Sequence, residues 1–173
     1  MLLAPFYAKR GGSIAEARLH TSGLDGVIRD GCHEMKVRIY FEDTDAGQIA
    51  YHANYLRFME RGRTNYLRLL GTSQRALLEL AQDEAPGFAF VVRSMTIDYY
   101  KPAFMDDVLD IITIPDEIKG ASITLRQLCK RGDDLLVEAR VKVAFVAGGK
   151  AQRIPKPLRD AMEAGRMEHS HQR

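Results

Sequence analysis

A chain of 173 residues with 46% hydrophobic content fits one domain plus short extensions and is too apolar for a disordered protein. Its 25 basic and 23 acidic side chains leave a net charge of +2, which argues against a dedicated nucleic-acid binder. Two cysteines, Cys32 and Cys129, are too few and too far apart for a disulfide framework or a zinc site, and fit a reducing compartment.

No apolar run approaches the roughly 20 residues that span a bilayer. The short apolar N-terminus precedes Lys9 and Arg10, the reverse of the order in a signal peptide. The expectation is a soluble cytoplasmic protein with no transmembrane segment. Residues 1–34 read as a flexible arm, because Gly11, Gly12, Gly23 and Gly26 interrupt any periodicity. From Met35 to Phe41 the pattern reads as a strand. Residues 53–70 read as a helix whose apolar stripe holds Tyr55, Met59, Gly62, Tyr66, Leu69 and Leu70, with Arg57, Arg61, Thr64 and Arg68 opposite. Gly62 within that stripe costs the helix about 1 kcal/mol relative to Ala. Its presence predicts close approach of a strand or another backbone. Gly71 reads as the stop. Thr72 or Ser73 then caps a shorter helix, which Pro86 and Gly87 end.

Four strand-like runs follow: Phe88 to Tyr100, Asp107 to Glu117, Ser122 to Lys130 and Leu135 to Val146. Their short Gly-containing connections imply antiparallel neighbours. Such a sheet needs its apolar face covered, and the 53–70 helix is the only large amphipathic element available. The expected class is α+β, an antiparallel sheet wrapped around one long helix, over residues 35–158. Residues 159–173, with His169 and His171, read as a solvated tail.

The chemistry-bearing residues cluster between the first strand and the helix. Asp43 and Asp45 alternate, so extended backbone points both to one side, and neighbouring carboxylates raise the pKa of one of them. They serve equally as an Asx-turn and capping cluster. His52 either caps the helix or lends its N–H to an oxyanion and its imidazole to a carboxylate or water. Asn54 reads as an N-cap, and Tyr51 and Tyr55 as wall or core residues. No Gly-rich phosphate loop, Gly-x-Ser-x-Gly elbow or His-Glu-x-x-His motif occurs.

The block Tyr40-Phe41-Glu42-Asp43-Thr44-Asp45-Ala46-Gly47, followed by Tyr51-His52-Ala53-Asn54-Tyr55, closely resembles the YbgC / 4-hydroxybenzoyl-CoA thioesterase family. The segment Asp98-Tyr99-Tyr100-Lys101-Pro102-Ala103 with Asp107 extends the resemblance, which covers roughly residues 35–158. It implies the hotdog fold and hydrolysis of a short-chain or aromatic acyl-CoA. Asp45 matches the family's catalytic carboxylate, as nucleophile or general base. His52 matches the position whose backbone N–H polarises the thioester carbonyl. Tyr51 and Asn54 match positions that shape the site, and Tyr55 is grouped with them on the substrate side. Apart from the CoA carried by the substrate, no cofactor or metal is implied. The family's members are homodimers or homotetramers. One departure is Gln48-Ile49-Ala50, where relatives commonly carry Gly and two apolar residues. Two other readings stay open: a non-catalytic partner of acyl-CoA or acyl carrier protein near phospholipid or envelope processes, and a hotdog dehydratase or hydratase.

Overall fold

The computed structural model describes residues 23–73 and 89–170. The expected short second helix and its Pro86-Gly87 stop lie outside them. Seven strands make one antiparallel sheet: β1 (Val27–Arg29), β2 (Cys32–Arg38), β3 (Ala89–Tyr99), β4 (Val108–Ile118), β5 (Ser122–Arg131), β6 (Asp134–Ala147) and β7 (Lys150–Ala151). Their order is β1-β2-β4-β5-β6-β3, with β7 also on β6. Helix α1 (His52–Ser73) packs on the sheet over β2 and β4. Helix α2 (Lys156–Ser170) packs beside it.

The core follows the two-residue period of the strands. Leu109 and Ile111 of β4, Ile123, Leu125 and Cys129 of β5, and Val137, Ala139, Val141, Val143 and Phe145 of β6 are buried. They meet Tyr55, Phe58, Met59 and Tyr66 of α1. Burial pushes the Cys129 thiol up to about 12, so it is a neutral core group at physiological pH.

Gly62 sits where the sheet closely approaches the helix. A Cβ there would lie 2.9 Å from Thr113 Oγ1 and 3.3 Å from Ile111 Cγ2. The close approach expected from the sequence is therefore present. Beside it a polar brace crosses the core. The fully buried Gln127 donates through Nε2 to Met59 O at 2.9 Å and Thr113 Oγ1 at 2.8 Å, and its Oε1 accepts from Arg63 at 2.7 Å. Arg63 is thus turned into the fold, and burial lowers its pKa.

Three sequence expectations need correction at the boundaries. Part of the supposed N-terminal arm is sheet. Arg29 faces Cys32 across Asp30 and Gly31, with φ of 48° and 73°, the backbone of a type I′ hairpin turn. The arm is also pinned from behind, because the buried His33 donates through Nε2 to Asp25 O at 2.7 Å and Arg68 holds the Asp25 carboxylate at 2.5 Å. Second, α1 runs through Gly71 to Ser73, so that glycine lies inside the helix. Third, most of the expected frayed tail is α2. Leu158 and Met162, one turn apart, are buried, and burial of that pair anchors the helix.

Candidate active site

The site is built on the descent from β2 to α1. Ile39 is fully buried and anchors the chain at the sheet rim, its N–H donating to Asp107 O. The next residues, Phe41–Asp43, turn as one 3-10 helix. Asp43 closes that turn: its Oδ2 accepts from Tyr40 N at 2.9 Å. Its carbonyl accepts from Tyr51 N at 2.8 Å and Asn54 Nδ2 at 3.0 Å. Asp43 is therefore the knot that ties the loop to the start of α1.

Asp45 is held differently. Its Oδ1 accepts from Gly47 N at 2.7 Å, an Asx turn, and no protein donor to Oδ2 occurs among the described residues. Both carboxylates accept a backbone N–H, but of the two aspartates only Asp45 also lines the cleft. The loop between Asp45 and α1 closes on itself through Gln48 N to Asp45 O and Asp45 N to Ile49 O. Gln48 takes a φ of 61°, left-handed backbone that glycine adopts without strain. The departure from Gly noted in the sequence falls on this residue.

A cleft of about 480 Å³ opens at this end of the molecule. Asp45, Ile49, Ala50 and His52 form one wall; Tyr55, Tyr99, Tyr100, Lys101 and Pro102 form the rest. Of the expected site residues it brings together Asp45, His52 and Tyr55. Tyr51 and Asn54 are not on its wall. Tyr51 is exposed with its ring centroid 4.4 Å from that of His52. Asn54 is buried two residues into the helix, so it is a tie to Asp43 and not the N-cap. The aromatic wall from the end of β3 carries the residues that reading residue by residue passed over. Only the Asp98–Ala103 resemblance pointed to them.

Three features set the electrostatics. The amides of His52 and Ala53 lie in the first turn of α1, where N–H groups have no carbonyl one turn back and the helix dipole is positive. Burial raises the pKa of the Tyr55 phenol, whose oxygen accepts from Ala103 N at 3.2 Å. Lys101 is paired with Asp134 at 2.5 Å and holds that carboxyl below its ordinary value. Among the described residues no three His, Cys, Asp or Glu side chains converge as a metal site requires.

The Thioesterase superfamily model matches residues 47–138, from the loop beside Asp45 to the middle of β6. This chain belongs to the thioesterase superfamily. Its sheet around a central helix is the hotdog fold. It is 45% identical over 128 residues to a Haemophilus influenzae protein named acyl-CoA thioesterase YbgC, covering 74% of this chain and 90% of that one. An Escherichia coli protein named acyl-CoA thioester hydrolase YbgC is 46% identical over 111 residues, 64% of this chain and 78% of that one. Among solved structures, a probable thioesterase from Bartonella henselae superposes with a TM-score of 0.60 at 35% identity, covering 72% of this chain and 98% of that one. The chain is a thioester hydrolase by family membership.

The Asx turn gives a test of how tightly the site holds its carboxylate. A Cβ on Gly47 would sit 3.0 Å from Asp45 Oδ1. Gly47→Ala is expected to swing the carboxylate aside and lower kcat about tenfold, equivalent to about 1.4 kcal/mol. The melting temperature should stay within about 2 °C, since both residues are exposed and only a loop contact changes. Thiol-release kinetics beside a melting curve separates the two effects.

Proposed function

We propose that this protein hydrolyses the thioester of short-chain or aromatic acyl-CoA, with Asp45 as the reacting carboxylate. The observation carrying this reading is the shared cleft: a carboxylate with one oxygen unclaimed faces the same space as the amino end of α1. The YbgC relatives' names supply the acyl-CoA class.

In this reading the thioester carbonyl oxygen lies against the first-turn amides of His52 and Ala53. Charge builds on that oxygen as the carbonyl carbon becomes tetrahedral. One fixed donor there is worth about 3–4 kcal/mol of barrier. Asp45 either takes a proton from a water whose oxygen bonds to the carbonyl carbon, or bonds to that carbon itself and forms a mixed anhydride that water then opens. In both routes the C–S bond breaks, CoA leaves as thiolate, and the acyl group leaves as the free acid. The imidazole of His52 orients the carboxylate or water, and Tyr55 forms the cleft floor.

Assembly belongs to the same proposal. Strand β3 bonds to β6 along one side, and no described strand lies along the other. On this eleven-residue edge Val91 and Val92 are 48% and 45% exposed. Its end supplies the aromatic wall of the cleft. Pairing of β3 with β3 of a second copy about a two-fold axis covers those valines, and a homodimer, alone or as half of a homotetramer, follows.

The experiment is release of free thiol from a panel of acyl-CoAs of increasing chain length together with aromatic ones. The expected result is turnover of the short-chain or aromatic members by the purified protein without added cofactor. Binding of acyl-CoA with no thiol released from any member would make the protein a non-catalytic partner.

A further inference from the structure

Tyr99 has no part in the chemistry above, yet it ties the edge strand to the first residue of α1. Its hydroxyl donates to His52 O at 3.1 Å. Its ring stands edge-on to His52 at 6.4 Å and to Tyr55 at 5.9 Å, so its position is set from two sides. It lines the cleft and is the last residue of β3.

The bond falls on a particular peptide unit. The carbonyl of His52 and the N–H of Ala53 are the two ends of one planar amide. A donor on the carbonyl oxygen withdraws electron density through that amide and makes its N–H a stronger donor, as chained hydrogen bonds do. That N–H is one of the two first-turn amides assigned to the thioester oxygen. The second contribution is geometric. The first peptide of a helix lacks the preceding turn that holds interior peptides, and the Tyr99 hydroxyl supplies an anchor from the sheet.

We propose that Tyr99 is a positioning residue for thioester hydrolysis: its hydroxyl fixes and polarises the His52–Ala53 peptide at the amino end of α1. This inference rests on the acyl-CoA reading, but its hydrogen bond can be tested apart from it. Tyr99 touches the amide through the carbonyl and exchanges no proton with substrate. Its action therefore appears in the rate of the chemical step and not in the ionisations that govern it.

The experiment is Tyr99→Phe, which keeps the ring and removes only the hydroxyl. Tyr99 is 45% exposed, so the variant should fold. The expected result is a kcat lowered about three- to tenfold, the range for loss of one neutral hydrogen bond, with KM unchanged and the same pH profile. In uniformly ¹⁵N-labelled protein the Ala53 amide nitrogen should move upfield, while amides more than one turn along α1 stay in place. A wild-type kcat, a changed pH profile, or an unmoved Ala53 resonance overturns the proposal. If wild-type protein releases no thiol from any acyl-CoA, the functional reading fails, and the Ala53 resonance still decides the hydrogen bond. Thiol release by wild type together with a Tyr99→Phe variant of equal kcat sinks the positioning role alone.

Discussion

Asp45→Asn is expected to lower the turnover of acyl-CoA by about a hundredfold to ten-thousandfold, the range for loss of a positioned acid–base group. The change is nearly isosteric. The side-chain oxygen can still accept from Gly47 N, so the Asx turn survives and the loop keeps its shape. What disappears is the negative charge, and with it the basicity and nucleophilicity that the proposed mechanism needs. Folding should be unaffected, because Asp45 is exposed and no ion pair to it occurs among the described residues. Kinetics by thiol release, beside a melting curve coincident with wild type, makes the comparison clean. Asp45→Glu should recover little of the rate, since one added methylene moves the carboxylate by more than a catalytic geometry tolerates. If Asp45→Asn turns over acyl-CoA at the wild-type rate, the carboxylate is no more than a turn former.

Gly62→Val is expected to produce the largest loss of stability. A Cβ alone would meet Thr113 Oγ1 at 2.9 Å and Ile111 Cγ2 at 3.3 Å, both on a central strand that has nowhere to retreat. Two further methyl groups must displace the helix or the sheet. Overpacking of this kind costs about 3 kcal/mol, against a few tenths gained from better helix propensity. For a chain of this length that lowers the melting temperature by roughly 6–12 °C. Gly62→Ala should cost less, since the helix gains up to about 1 kcal/mol by losing its glycine. Combining Gly62→Ala with Thr113→Ala should recover part of the loss, because the two side chains share one space. A Gly62→Val protein as stable as wild type would mean that helix and sheet do not touch here as described.

Gly62 was also the residue through which the packing could be read in advance. A glycine in an otherwise apolar helical stripe has an evident conformational cost, and a tight helix–sheet contact accounts for it. The strands from β3 to β6 were legible for a similar reason: β-branched residues recur at alternate positions, and Gly punctuates the turns. The hairpin of β1 and β2 was missed although its signal was present. Asp30-Gly31 is a strong two-residue hairpin turn, but the flanking strand β1 is only three residues long and lies exposed. Helix α2 was missed because its core contact rests on Leu158 and Met162, too short a stripe to stand out beside Pro155 and Pro157. Pro157, just inside the start, is tolerated where the N–H has no helical partner.

At the site, sequence placed Asp45 and His52 near each other but could not divide labour between Asp43 and Asp45. That division depends on which backbone N–H each carboxylate meets, and the alternation of extended chain does not apply across a 3-10 turn. Nor could it foresee that Tyr99, 47 positions from His52, reaches the same peptide. That contact exists only because β3 returns to the mouth of the cleft.

The margin of β3 that faces away from β6 has a cost beyond the finished protein. Among the described residues no strand lies along that margin, and an exposed strand edge carrying valines can pair with extended chains nearby. Nascent copies at high local density therefore face a choice between orderly association and aggregation. Refolding yield should accordingly be more sensitive to protein concentration and to salt than the stability of the closed core suggests.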